Sequence, residues 1–298
     1  MPDPEIVALR ELLAQTPRPT DIGERRLGFD AFAQVFPTAG DILVEKVSAN
    51  GVPAEWTSAQ GADTSRALLY LHGGGYVIGS LDSHRHVTSE IARDLGARTL
   101  ALHYRLSPEQ PFPAPVEDAV AGYRYLLAQG IAPRNIALAG DSAGGGLVVA
   151  ALVAIRDAGL AQPSCGWCIS PWADMEGIGG SMTSKAGDDP IVQKDPLLEM
   201  SALYLNGAHP RSPLAAPIYA DLQGIAPLYI QVGAAETLLD DAVRLAAVAG
   251  AANVPVTLEV WPEMVHVWHL FHPRLAAGRR AITAGARYMR EAMNAKRT

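Results

Sequence analysis

The residue set most plainly for nucleophilic chemistry is Ser142. It stands in Gly140-Asp141-Ser142-Ala143-Gly144, a G-x-S-x-G pentapeptide. Upstream, Ile136-Ala137-Leu138-Ala139 reads as a buried strand. Downstream, Gly145–Ala158 is rich in Ala, Leu, Val and Ile and reads as a buried helix. Strand, sharp turn and helix together make a nucleophile elbow of a motif that, alone, also occurs as a chance glycine-rich turn. The glycines have a steric task. The serine must sit in a strained turn with its hydroxyl exposed, and side chains at 140 and 144 would collide with the neighbouring strand and helix. The same turn places the Ala143 N–H at the start of a helix, where an anion is favoured.

A serine hydroxyl is a poor nucleophile until a base takes its proton. The candidates are His72, His84, His86, His103, His209, His266, His269 and His272. In enzymes built on such an elbow the chain order is serine, acid, histidine, with the histidine in a loop after the last strand. Val256–Val260 reads as that strand, and Trp261–Val265 leads from it to His266. His269 and His272 are alternatives, although their helical spacing suits surface or core positions better. The acid belongs after the penultimate strand, Leu228–Gly233. Glu236 lies just past it and is expected to orient His266 and stabilise its cation. Asp240 is the alternative acid, yet it and Asp241 also read as the start of a helix, where carboxylates cap backbone N–H groups. The negative oxygen of a tetrahedral intermediate needs donors as well. His72-Gly73-Gly74-Gly75 follows a strand, and its side-chain-free residues let N–H groups converge with that of Ala143. The run lacks the Lys-Ser/Thr of a phosphate loop and the spacing of a dinucleotide fingerprint. Nothing in this chemistry calls for a cofactor or a metal.

These residues must be positioned by a scaffold. Glu5–Gln15 has helical spacing of Ile6, Leu9, Leu12 and Leu13, and Pro17 and Pro19 end it. Asp30–Phe36 reads as a second, weaker helix. From Asp41 the texture is β, with Ile42–Val47 and Val52–Trp56 flanking the hairpin signal Asn50-Gly51. Ala67–Leu71 is a continuous apolar run, the mark of a strand covered on both faces. Ser89–Leu95 reads as helix, Thr99–Tyr104 as strand, Val116–Gln129 as helix and Trp167–Ser170 as strand. After Leu228–Gly233, Leu239–Ala249 reads as helix and Pro273–Met293 as a terminal amphipathic helix. Alternating strands and helices predict a mostly parallel sheet flanked by helices. Between Pro171 and Pro227 there is no strong strand and one helix, Pro196–Leu205. A segment of that length reads as an insertion over the site.

The totals bound the partners. The chain has 298 residues, 49% hydrophobic and 18% charged, with a net charge of −7. That describes a globular domain and argues against nucleic acid or an anionic membrane as a main partner. The two cysteines, Cys165 and Cys168, have no second pair with which to form a zinc site. In a strand they would point to opposite faces, so they read as inert core thiols. Met1-Pro2-Asp3-Pro4-Glu5 lacks the basic and apolar regions of a signal peptide. No stretch approaches the about 18 uninterrupted apolar residues of a membrane span. A cytoplasmic protein is expected.

Four pieces in order carry a resemblance: His72-Gly73-Gly74-Gly75; Tyr104-Arg105-Leu106-Ser107-Pro108-Glu109 with Pro111-Phe112-Pro113-Ala114; Gly140-Asp141-Ser142-Ala143-Gly144-Gly145; and His266. In this combination the chain resembles the hormone-sensitive-lipase-like bacterial carboxylesterases of the α/β-hydrolase superfamily. The resemblance implies the α/β-hydrolase fold with a helical cap. Residues 1–40 and 172–215 would build the cap, and 41–171 with 216–298 the catalytic domain. It implies a triad of Ser142, Glu236 and His266, with oxyanion donors from Gly74, Gly75 and Ala143. Tyr76, Trp172, Tyr204 and Leu205 are candidates for lining the pocket, and equally for packing in core or cap. The implied substrate is a small ester with a short to medium acyl chain. Some members dimerise through the sheet edge, so a homodimer is an expectation too.

Two departures stand out. Many members have Asp in the acid position, often as Asp-Pro-Leu, where this chain has Glu236-Thr237-Leu238. They often have Asp before Tyr-Arg, where this chain has His103. The same triad also cleaves amides, so an amidase or deacylase is the alternative enzyme. Hormone receptors of the same fold lose the catalytic histidine, and His266 counts against that role.

Overall fold

The computed structural model describes residues 3–16 and 19–295. Met1 and Pro2 of the N-terminal reading, and Pro17, read as ending the first helix, lie outside the described residues. The elements run α1 (Pro4–Gln15), α2 (Ile22–Ala33), β1 (Ile42–Ala49), β2 (Val52–Ala59), β3 (Asp63–Leu71), α3 (Leu81–Leu95), β4 (Ala97–Leu102), α4 (Ala114–Ala128), β5 (Ile136–Asp141) and α5 (Ala143–Asp157). They continue with β6 (Gly166–Ile169), α6 (Ser181–Ser184), α7 (Lys194–Leu205), β7 (Leu228–Gly233), α8 (Leu239–Ala251), β8 (Val256–Trp261) and α9 (Ala276–Asn294).

Two helices differ from the sequence reading for the same reason. The second helix is not Asp30–Phe36: α2 begins at Ile22, because the Asp21 side chain accepts the Glu24 N–H at 2.9 Å and caps it. Its mixed charges and two glycines hide the apolar period that a sequence reader follows. Phe36 lies beyond the helix but is still buried. Likewise α3 starts at Leu81 rather than Ser89. Ser80 and Ser83 form a reciprocal capping box, and the polar residues His84 and His86 of its first turns are buried.

The eight strands form one sheet in the order β1-β2-β4-β3-β5-β6-β7-β8. β1 pairs antiparallel with β2 around Asn50 and Gly51, both at positive φ, which suits a tight hairpin. β2 is antiparallel to β4, and every pairing from β4 to β8 is parallel. The period-2 alternation of strand side chains divides the core between two faces. Leu69, Leu71, Leu138 and Cys168 pack with α4, α5 and α8. Leu68, Tyr70, Ala137, Cys165 and Trp167 pack on the other face with Ile91 of α3 and Ile282 and Met289 of α9. The two cysteines therefore do lie on opposite faces. A third cluster seats Ile6, Leu9 and Leu13 of α1 against Met264, Val265, Trp268 and Phe271. Burial of each such side chain contributes about 1.5–3 kcal/mol, enough to dock a short helix. Among the described residues no helix is long and apolar enough to cross a membrane.

The layer of α9 on β6 leaves no room at Gly285, where a Cβ would lie 2.6 Å from Trp167 Cε2. Gly285→Ala is expected to destabilise the fold by about 1–3 kcal/mol through overpacking; denaturant titration reads this, and an unchanged midpoint would refute the packing argument.

The core also holds neutral imidazoles. Burial pushes His72, His269 and His272 down to about 3 and His86 down to about 4, from 6.5. The unfolded chain takes up these protons near pH 6.5, whereas the folded chain does so only near pH 3–4. Their stabilising contribution is complete above about pH 6.5 and is lost as the pH falls through that window. Three buried groups act in the opposite sense: burial raises Asp241 to about 7 and also raises Glu236, and the hydrogen bond and charge of Glu236 outweigh burial to raise His266. The four imidazoles outnumber them. Thermal unfolding between pH 7 and 4 should give a Tm that falls steadily; a flat profile would contradict this balance.

Candidate active site

Ser142 occupies the turn between β5 and α5 at φ 54° and ψ −120°, a conformation that costs energy for any residue but glycine. The surrounding backbone imposes it. The Ser142 N–H donates to Ile169 O at 2.8 Å, and Ser142 O accepts from Trp172 N at 2.9 Å. A side chain at 144 would run into the carbonyl oxygens of Leu71 and His72, so the elbow and the end of β3 touch backbone to backbone. That close approach requires glycine.

From β3 the chain enters His72-Gly73-Gly74-Gly75. Gly74, Gly75 and Tyr76 have successive positive φ values of 112°, 63° and 61°. Only glycine takes the first of these without strain. Asp141, the residue before the nucleophile candidate, pins the loop: its Oδ1 accepts the Gly73 N–H at 3.0 Å and the Tyr70 hydroxyl at 2.8 Å. Its Oδ2 lies 3.3 Å from His84 Nε2. Burial alone would push the Asp141 carboxyl up, but His84 and Tyr70 outweigh it and hold it at about 2. Tyr104 completes the support, stacking on His72 with centroids 4.3 Å apart and donating to His72 O at 2.6 Å. The N–H groups of Gly74 and Gly75 donate to no other group among the described residues, and Ala143 is the first residue of α5.

Glu236 and His266 are brought together. His266 Nδ1 lies 2.9 Å from Glu236 Oε2, with both residues buried. The other oxygen, Oε1, accepts from Gly233 N at 2.6 Å and from Ser170 Oγ at 2.7 Å. Burial raises the Glu236 carboxyl despite its imidazole partner. Burial would lower the His266 imidazole, but the hydrogen bond and charge of Glu236 more than offset this and raise it. Asp240 goes elsewhere: its Oδ2 accepts the Ser181 N–H at 3.0 Å. His269 Nε2 lies 2.9 Å from Gln231 Oε1, and His272 stacks near His86. Ser142 Oγ has no hydrogen-bond partner among the described residues, so the serine–histidine link is the one contact left open.

The four pocket candidates are all buried. Tyr76 stacks on Tyr204 at 3.7 Å between centroids and sits 6.0 Å from Trp172. Met200 of α7 lies against Gly75, where a Cβ would be 3.3 Å from its Cγ. Arg26 of α2 donates to Val77 O and Ser107 O at 2.9 Å and grips Glu109 at 2.8 Å.

Two supporting residues have no signature in the sequence. Ser170, at the end of β6 with φ 45°, donates to Glu236 and accepts the Val267 N–H at 3.2 Å, tying acid and histidine loops together. Asp189, far away in the 172–215 segment, reaches Thr237 beside the acid. The Asp141 anchor, by contrast, sits inside the pentapeptide itself.

A family model described as alpha/beta hydrolase fold matches residues 68–270. The chain is 47% identical to an acetyl-hydrolase of Streptomyces hygroscopicus, across 98% of both chains. It is 28% identical to an esterase of Acinetobacter venetianus, across 85% of this chain and 84% of the relative. A solved esterase of the bacterial hormone-sensitive lipase family superposes with a TM-score of 0.96 at 50% identity, covering 99% of this chain and 100% of that one. A likeness of that extent, carried by the whole sheet and by the loops at its C-terminal edge, means that the chain belongs to the alpha/beta hydrolase fold family, among the hormone-sensitive-lipase-like bacterial carboxylesterases.

Proposed function

We propose that the chain hydrolyses small carboxylic esters through an acyl-enzyme formed on Ser142, with His266 as base and Glu236 as the triad acid. The observation that carries this reading is the buried 2.9 Å contact between His266 Nδ1 and Glu236 Oε2, beside the strained elbow. It leaves Nε2 to take the Ser142 proton as the hydroxyl attacks the ester carbonyl. Such hydrogen bonds are often long in unliganded enzymes and tighten with substrate.

The negative oxygen then meets the N–H groups of Gly74, Gly75 and Ala143. Each well-aimed donor lowers the barrier by about 2.7–4 kcal/mol. His266 returns its proton to the leaving alcohol, then activates water to release the acid. The buried carboxylate favours the imidazolium that both steps create.

The 172–215 segment with α1 and α2 of residues 1–40 forms the cap in this reading, supported by Met200 lying against Gly75 and by Arg26 bonding Val77 O. The stacked pair Tyr76 and Tyr204, with Trp172 tilted beside Tyr76 and with Leu205, backs the acyl pocket and favours short chains; the acetyl-hydrolase relative points the same way. A homodimer would pair along an edge of the sheet, β1 or β8.

Hydrolysis of p-nitrophenyl esters from acetate to palmitate tests this. The rate should peak at short chains. Ser142→Ala should lower kcat on the order of 10⁶-fold without unfolding the protein. Glu236→Gln should cost on the order of 10⁴-fold, whereas Asp240→Asn should keep most activity. Substantial turnover by Ser142→Ala would remove the nucleophile assignment, and a larger loss at Asp240 than at Glu236 would exchange the acids. If no ester reacts, acyl amides are the next substrates to try.

A further inference from the structure

Thr237 follows the acid, is fully buried, and has every polar atom gripped by the segment between β6 and β7. Its N–H donates to Asp189 Oδ2 at 2.8 Å and its hydroxyl to the same oxygen at 3.1 Å. Its carbonyl accepts from Ser181 Oγ, which in turn accepts the Asp240 N–H at 3.0 Å. Asp189 is itself buried, and its Oδ1 accepts the N–H groups of Ile191 and Val192 at 2.8 and 3.0 Å. Its carboxylate accepts four hydrogen bonds and gives none, as an ionised group does.

The next residue back is held from another quarter. Arg10 of α1 donates to Asp188 O and to Glu263 O, the latter at 3.2 Å in the loop that leads to His266. One short stretch, 188–189, thus touches the turn of the acid on one side and, through α1, the loop of the histidine on the other.

We propose that Asp189 is a positioning residue for catalysis, which fixes the Glu236-Thr237 turn and so makes the alignment of the acid depend on the seating of the 172–215 segment. This deepens the reading of Glu236 and His266 as triad members and rests on it. A carboxylate buried beside an acid it repels is costly unless it does something that a neutral side chain could not. Here it supplies an acceptor for two donors at once. It also adds negative charge near His266, which faces Glu236 from the β7–α8 turn, Asp189 from the inserted segment and Asp141 from the end of β5. Arg10 is the cation on the α1 side, and Asp240 is engaged with Ser181. The Asp189 charge raises both Glu236 and His266.

The test uses the full chain with Asp189→Asn, Thr237→Val, their double variant and Glu236→Gln, on p-nitrophenyl acetate. Asp189→Asn should lower kcat by roughly 10- to 100-fold, the loss typical of a small misplacement, with KM little changed. The acid limb of its kcat/KM profile should move to lower pH, because one negative charge near the imidazole is gone. A residue that only holds the fold together would not move that limb. Thr237→Val removes one of the two donors and keeps the charge, so kcat should fall less and the limb should stay. The double variant should be no worse than Asp189→Asn alone.

Unchanged kcat in Asp189→Asn, additive losses, or a limb that stays or moves upward would overturn the proposal. If Asp189→Asn does not fold, Thr237→Val decides: an unchanged kcat in a folded protein rejects the coupling. Glu236→Gln separates the two readings. If it is fully active, the acid assignment fails; if it is inactive while Asp189→Asn behaves as wild type, only the coupling fails.

Discussion

A carboxylate with no access to water is the constraint around which this molecule is arranged. Glu236 is completely buried, and an isolated charge there would be prohibitive. The chain answers with Gly233 N, Ser170 Oγ and His266 Nδ1 converging on its two oxygens. Those donors come from the end of β7, the end of β6 and the loop after β8. Parallel strands in register deliver three such ends to one edge, so the sheet order is a condition of the site and not only its support.

The same logic operates at the other half of the site with different chemistry. Elbow and glycine loop approach so closely that backbone carbonyls fill the space where side chains would stand. Asp141 then locks the two together through Gly73 and Tyr70. A charged side chain next to the nucleophile candidate is therefore spent on geometry. Its oxygens bond Tyr70 of β3, the Gly73 N–H and His84 of α3.

Much of this was legible in the residues. The strand-turn-helix pattern about Ser142, the apolar run before His72 and the alternation of strands gave the fold class, because buried parallel strands leave a continuous hydrophobic trace. Glu236 and His266 were readable as a pair from their places after consecutive strands. What stayed hidden was everything that acts across the sheet. Ser170 is an ordinary serine until β6 sets it between two loops, and Asp189 is one acid among 31 acidic residues until the insertion folds back onto Thr237. The starts of α2 and α3 were missed because caps made by Asp21 and by Ser80 with Ser83 leave no apolar period. The stacking of Tyr76 on Tyr204, with Trp172 tilted beside it, is a tertiary fact that no spacing records.

The seating of α1 has a consequence for how the chain comes together. Arg10 and Glu263, joined by a hydrogen bond, are 253 residues apart in sequence. During synthesis α1 leaves the ribosome long before its partners, with the apolar face of Ile6, Leu9 and Leu13 uncovered until Met264, Val265 and Trp268 have followed. At about 5–20 residues per second that interval lasts roughly 10–50 s. Through this time the face must be tolerated by the nascent chain or shielded by a chaperone. The loop carrying His266 gains its outer support only when α1 meets it, so this contact forms after most of the sheet has been synthesised.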